Sequence, residues 1–270
     1  MLILGINNNY SYNNQVKPTF CGNSRAVCDN AGKLKYYCTT YFFREHLNWH
    51  YLADYLGEKF AGKGRVNVYD YACSSGEEAF TLATILTMRL GKKDSEKFFP
   101  IYARDINEEN IRIAKSGILP ASNYEKYLFE SATYPVTNNF AEITSVKGAS
   151  NFSENACTFR MTPELASKIE FSTANILEDI DNIPHEPTVL LVRNLWRYLN
   201  EREQALLMEK IYNKLKGTSS VLIFGGSDSP DHKNILTSGK TGYPNKSYVF
   251  DNLAKYDIVR SKLKYVYEIL

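Results

Sequence analysis

Apolar positions recur along this chain in two alternating periods, two residues and then three to four, and that alternation predicts an α/β fold. Val66, Val68, Tyr69 and Tyr71 form a short strand pattern that runs into Ala72, Cys73, Ser74, Ser75 and Gly76. Residues 77–90 follow as an amphipathic helix, opened by Glu77 and Glu78 and closed by Gly91. A second strand is predicted over 98–103, ending at Arg104 and Asp105. Asn107 is placed as the N-cap of a helix over 108–115 that Gly117 closes. Further strands are expected over 169–173, 188–193 and 220–224, with a helix over 201–215 ended by Gly217. The run at 188–193 is apolar throughout, as in a strand covered on both faces. The tail, 247–270, reads as a short helix and a last strand near 264–269.

Upstream, Phe42, Phe43, Leu47, Leu52, Leu56 and Phe60 predict a helix over 41–60, stopped by Gly62 and Gly64. Residues 1–32 are rich in Asn, Ser, Tyr and Gly without periodicity and are expected to form a flexible leader to a domain spanning 33–270. The stretch 118–168 contains Pro120, Pro135 and Pro163. It is too long for a plain loop and is expected to be a small inserted sub-domain, with a strand about 157–161.

Strands alternating with helices imply a mostly parallel sheet with helices on both faces, and such sheets bind ligands beyond the carboxyl ends of their strands. Special residues stand there: 72–76, Asp105, Asn175, Arg193 with Asn194, and 225–228. The net charge of +2 and the absence of a basic run argue against a nucleic-acid partner. Apolar runs fall short of the roughly 18 residues of a membrane span, so no direct membrane insertion is expected. Cys21, Cys28, Cys38, Cys73 and Cys157 show no C-x-x-C spacing, and the four histidines form no metal motif. Reduced thiols, a cytoplasmic location and no metal are the expectation.

The residue chemistry narrows the ligand. Small side chains at 72–76 let backbone N–H groups approach a ligand closely. Glu77 and Glu78 would repel a pyrophosphate, whereas S-adenosyl-L-methionine has no phosphate and carries a sulfonium and an ammonium. The other reading of these acids is a tight strand–helix turn with favourable charge at a helix N-terminus. Asp105 suits either a ribose acceptor or a helix N-terminal acid. Asn175 suits a contact to adenine, to the donor's amino-acid end, or a turn. Arg193 ends a buried strand, where a charge is unusual unless paired or facing a ligand.

Several blocks, taken together and in order, resemble the CheR-type chemotaxis receptor methyltransferases. They are Cys38-Thr39-Thr40-Tyr41-Phe42-Phe43-Arg44, Ala72-Cys73-Ser74-Ser75-Gly76-Glu77-Glu78, Ala103-Arg104-Asp105-Ile106, Phe171 through Asn175 to Glu178, Arg193-Asn194-Leu195-Trp196-Arg197-Tyr198, and Phe224-Gly225-Gly226-Ser227-Asp228. The resemblance implies a Rossmann-like class I methyltransferase sheet that uses S-adenosyl-L-methionine to methylate glutamate side chains of a protein, typically the cytoplasmic helices of a chemoreceptor. It implies that Thr40, Arg44, Ala72, Ser74, Gly76, Glu77, Asp105, Ile106, Asn175, Ile176, Leu177, Arg193 and Asn194 hold the cofactor. Thr40, Arg44 and Tyr198 would face the methyl donor and the incoming carboxylate, and a monomer is expected. The sequence departs from the family at Arg197, Gly226 and Asp228, and by a leader in place of an N-terminal helical domain. Two other functions are weighed: the same donor with a different protein or small-molecule acceptor, and a non-catalytic module that binds the donor and signals. A carboxylate is already nucleophilic at neutral pH, which accounts for a sequence with no His/Asp or Cys/His constellation.

Overall fold

A computed structural model describes residues 23–28, 34–44, 47–131, 136, 140–145, 155–228 and 253–270. Its elements in chain order begin with a hairpin, β1 (Asn23–Cys28) and β2 (Leu34–Thr40), paired antiparallel. Helix α1 (Trp49–Lys59) and strand β3 (Asn67–Tyr71) follow, then α2 (Glu77–Ser95), β4 (Ile101–Asp105) and α3 (Glu108–Ser116). An insert comprises β5 (Ile118–Ser122), α4 (Asn123–Glu130), β6 (Ala141–Ser145) and β7 (Asn155–Met161). The chain continues through α5 (Pro163–Ala166), β8 (Ile169–Thr173), α6 (Ile176–Asp179), β9 (Thr188–Val192), α7 (Glu201–Leu215) and β10 (Val221–Phe224). It ends in β11 (Ile258–Arg260) and β12 (Val266–Ile269).

The main sheet has seven strands in the order β11-β12-β10-β9-β3-β4-β8. Strands β8, β4, β3, β9 and β10 are parallel neighbours, while β12 runs antiparallel to both β10 and β11. The winding direction reverses between β3 and β9, so the carboxyl ends of those two strands flank the switch point.

Side-chain alternation along the strands divides the core. Val68, Ala103, Phe171, Leu191 and Ile223 face α1, α2 and α3. Tyr69, Tyr71, Leu190, Val192, Leu222 and Phe224 face α7 with Leu207, Met208, Ile211 and Leu215. Period-2 strands between period-3.6 helices leave little choice in this packing. The insert forms its own three-stranded antiparallel sheet, β5-β7-β6. Its Leu119, Ala121, Phe129, Cys157 and Phe159 run into the same apolar cluster as α1 and α2, so it is packed onto the main core rather than hung from it.

Several boundaries differ from the sequence-based expectations. Helix α1 starts at Trp49, not near Tyr41, and its N-cap Asn48 accepts the Tyr51 N–H at 3.1 Å. The N–H groups of Phe42 and Phe43 are instead taken by Glu125 Oε1 at 2.9 Å and Thr81 Oγ1 at 3.0 Å, and Phe43 has a φ of 48°. A residue held at that positive φ cannot lie in a right-handed helix, so the helix starts beyond it. Strand β4 begins at Ile101 because residues 96–98 form a 3-10 turn and Pro100 has no N–H for the ladder. Helix α2 runs on past Gly91, but its regular turns are broken there, where φ is 76° and ψ 166°. Of the expected leader, β1 is a paired strand, and residues 1–22 and 29–32 lie outside the described residues. In the tail, 247–252 lies outside them too, and 253–255 is a short 3-10 turn.

Candidate functional site

The loops after β8, β4, β3, β9 and β10 emerge side by side on one edge of the sheet, as the strand order requires. The crossing from β3 to α2 is the tightest of them. Ala72 and Ser74 adopt left-handed conformations with φ of 61° and 54°, and Gly76 has φ 98°. A Cβ on Gly76 would lie 3.0 Å from the Phe171 ring and 3.2 Å from Ala114, so a side chain there would press on its neighbours as well as strain the backbone. Non-glycine residues held in left-handed geometry mark a backbone over-determined by its surroundings.

Asp105 is the brace. Its Oδ2 accepts the Ser74 N–H at 2.8 Å, and its Oδ1 accepts the Asn107 N–H at 2.9 Å and the Asn110 side-chain amide at 3.1 Å. Its carbonyl accepts the Ala174 N–H at 3.0 Å, and Cys73 N–H bonds Arg104 O at 3.0 Å. One residue therefore ties the β3, β4 and β8 ends together, with its carboxylate serving as the common acceptor.

Glu77, at the first position of α2, is 1% exposed. Ser75 Oγ donates to its Oε1 at 3.2 Å, and the Thr40 hydroxyl approaches the same carboxyl. Among the described residues, Oε2 finds no hydrogen-bond partner. Burial, reinforced by the charge of Glu125, pushes the Glu77 carboxyl up to about 7, and its own backbone N–H and the Ser75 and Thr40 hydroxyls only partly offset this.

A second group of charges lies on the α1–α2 face of the sheet. Arg193 pairs with Glu78, and its guanidinium carbon lies 5.1 Å above the Trp49 ring. Asp70, fully buried in β3, faces the same pair. Burial and the nearby Glu78 push its carboxyl well above the ordinary range, against the pull of Arg193. Two acids beside one guanidinium are balanced when a proton stays on Asp70. Trp49 in turn donates its indole N–H to Arg44 O at 3.2 Å, which links this cluster to the 40–44 corner.

After β10, Asp228 Oδ2 accepts the Gly225 N–H at 3.1 Å and the Asn194 N–H. A Cβ on Gly225 would lie 2.3 Å from Asn194 Oδ1 and 2.6 Å from Asn194 N, so β9 and β10 end in contact only because residue 225 has no side chain.

Residues 38–241 match the family model "CheR methyltransferase, SAM binding domain". The chain belongs to this family. S-adenosyl-L-methionine is the cofactor of that domain. The chain is 27% identical over 206 residues to chemotaxis protein methyltransferase 2 of Pseudomonas aeruginosa, covering 76% of this chain and 68% of that one. It is 27% identical over 197 residues to the chemotaxis protein methyltransferase of Salmonella typhimurium, covering 73% and 62%. With the Escherichia coli protein of the same name the figures are 25% over 214 residues, 76% and 66%. The chain thus spans about two thirds of the length of these relatives.

The residues fit the donor of this family. The orphaned Glu77 Oε2 is an acceptor beside a small-residue crossing, and S-adenosyl-L-methionine carries an ammonium to meet it. Asp70, Glu77, Glu78 and Asp105 surround the crossing, a setting hostile to a pyrophosphate.

Thr40, Ala72, Ser74, Gly76, Glu77 and Asp105 converge at the β2 end, the β3–α2 crossing and the β4 end. Ile106, 60% exposed, stands beside them, and Tyr198, 37% exposed, lies in the turn after β9. Arg44 is half-buried, with its guanidinium carbon 5.2 Å from the Tyr41 ring. Asn175, Leu177 and Asn194 also reach the strand ends, although Asn175 uses its side chain to cap Leu177 N–H at 3.1 Å and to donate to Glu178. Two residues differ from expectation. Ile176 packs its side chain into the α7-facing core, and Arg193 is buried in its pair with Glu78 instead of facing the open edge. Arg193 follows the inward side of β9 and answers the charge of the half-buried Glu78, while Ile176, the first residue of α6, turns its side chain to α7.

Sequence reasoning passed over Asp70, Thr81 and Glu125. Asp70 had a visible signal, an acid inside a strand whose five residues are all buried. Glu125 had half of one, because Ser122 and Glu125 spell a capping box. Nothing in the sequence ties either of them to residues 40–44.

Proposed function

We propose that this chain is a methyltransferase that transfers a methyl group from S-adenosyl-L-methionine to a glutamate side-chain carboxylate of a protein. The observation that carries this reading is the buried, half-satisfied Glu77 carboxyl beside the 72–76 crossing, in a chain of the CheR family. The relatives are named chemotaxis protein methyltransferases; in the reading we propose the acceptor is a cytoplasmic segment of a chemoreceptor, and the enzyme is a cytoplasmic monomer. No helix among the described residues is long and apolar enough to cross a membrane.

When bound, the donor supplies an electrophilic methyl on a sulfonium. Glu77 Oε2 would accept from the donor's ammonium. Asp105 keeps the crossing closed and would offer its carboxylate to a ribose hydroxyl, with Ile106 as an apolar neighbour. The backbone of residues 175–177 and Asn194 would hold the rest of the donor. Arg44 clamps the incoming carboxylate, and Tyr198 covers it from the turn after β9. Thr40 serves both parts, since its hydroxyl lies against Glu77 at the end of β2. An acceptor carboxylate needs no general base, so alignment and exclusion of water supply the acceleration. In the domain organisation we adopt, residues 33–270 form the methyltransferase domain and 118–168 its inserted unit.

The decisive experiment incubates the chain with methyl-labelled donor and a lysate containing chemoreceptors. A labelled protein that loses its methyl as methanol in mild base supports a carboxylate ester. A base-stable label excludes it.

A further inference from the structure

The corner at residues 40–43 is fixed by two backbone donors in succession. Phe42 N–H meets Glu125 Oε1 at 2.9 Å, and Phe43 N–H meets Thr81 Oγ1 at 3.0 Å, whose own hydroxyl is donated to Glu77 O at 2.7 Å, so the corner is tied to the first turn of α2. Glu125 belongs to the insert, at the third position of α4, and is 1% exposed. Its Oε2 does what a capping box requires, accepting the Ser122 N–H at 2.8 Å and the Ser122 hydroxyl at 2.7 Å. Capping needs only that oxygen. The other reaches a backbone N–H 83 positions earlier in the chain. Phe42 itself is wedged against Phe129 and Phe159 of the insert, with ring centroids 5.0 and 4.5 Å away. The insert is therefore fastened, by one buried hydrogen bond and one aromatic cluster, to the corner that presents Thr40 to Glu77.

We propose that Glu125 is a positioning residue for the donor site: its Oε1 holds Phe42 N–H and thereby sets the 40–43 corner, Thr40 included, against the first turn of α2 where Glu77 lies. This rests on the donor reading given above. Glu125 touches no donor atom; it acts through the corner. Without the clamp, Phe43 is released from its left-handed conformation and Thr40 loses its place.

Length and charge at residue 125 separate this role from the alternatives. Glu125→Gln keeps the reach to Phe42 N–H but sets its NH2 against the Ser122 N–H, so it gives up part of the α4 cap and keeps the clamp. Glu125→Asp keeps the charge and is one methylene too short. Ser122→Ala removes the cap of α4 and leaves the clamp. S-adenosylhomocysteine binding is measured by calorimetry for each protein, alongside the melting temperature and the donor KM and kcat. Glu125→Asp and Glu125→Ala are expected to weaken binding about tenfold or more, the loss of one charge-assisted buried hydrogen bond. Glu125→Gln is expected to stay within about threefold of the unmodified chain, since its carbonyl still accepts the bond. Ser122→Ala is expected to lower the melting temperature with donor affinity unchanged. If Glu125→Ala does not fold, the order of the Gln and Asp variants decides. An Asp variant that binds at least as tightly as the Gln variant, or a Ser122→Ala variant that loses as much affinity as Glu125→Ala, overturns the proposal. Failure of the unmodified chain to bind the ligand at all overturns the donor reading, and this inference with it.

Discussion

Replacing Glu77 with glutamine should remove most of a pH dependence that this one carboxyl imposes on folding. In the folded protein the group is raised from 4.5 to about 7, chiefly by burial. Between those values the folded chain keeps a proton that the unfolded chain has released. Stability therefore falls as pH rises through that window, and the full penalty is present above it. At about 1.4 kcal/mol per pH unit the full penalty is roughly 3 kcal/mol, of which about 2.5 kcal/mol develops between pH 5 and pH 8. Asp70 and Cys73, also raised by burial, contribute to the slope in both proteins and cancel in the comparison. The repulsion from Glu125 is part of the residue-77 contribution, because it vanishes with the charge. The assay is urea unfolding of ligand-free protein at pH 5 and pH 8, for the unmodified chain and for Glu77→Gln. The unmodified chain should lose about 2.5 kcal/mol more than the variant between the two pH values. Saturating S-adenosyl-L-methionine should narrow that gap by bringing an ammonium to Oε2, and should do so only when residue 77 is Glu. Equal pH dependence in the two proteins would refute the claim that Glu77 is buried without adequate compensation.

Two further outcomes test the geometry of the strand ends. Gly225→Ala should destabilise the fold by about 2 kcal/mol or more in urea unfolding, because its Cβ would overlap Asn194 and overpacking against backbone cannot relax cheaply. A neutral result would mean that β9 and β10 do not end in contact. Asp105→Ala should cost about 3 kcal/mol, as the Ser74, Asn107 and Asn110 donors lose their common acceptor, and should weaken S-adenosylhomocysteine binding by calorimetry. Unchanged affinity in a folded Asp105→Ala protein would remove Asp105 from the donor site.

What the amino-acid sequence determined by itself is the alternation of elements and the places where they stop. The helix over 201–215 matches α7 residue for residue, and Asn107 and Gly117 bracket α3 as expected, because caps and periodicity act over a few neighbours. The positions of the special residues, just after parallel strands, follow from the same local signals, as do the small side chains and acids of the 72–78 crossing. Tertiary structure alone decided which partners those residues would have. Phe42 and Phe43 carry a helical pattern, yet their N–H groups are claimed by Glu125 and Thr81 from elements that lie far along the chain. Arg193 reads as paired or ligand-facing until Glu78 is brought beside it, and the Ile176 side chain reads as facing the site until α7 packs over it, leaving its backbone there. The 1% exposure of Glu77, and hence its raised carboxyl, exists only once β2, α2 and α4 close around it. Periodicity is a property of neighbours in sequence, whereas burial, ion pairing and a shifted proton affinity depend on which distant side chains complete the enclosure.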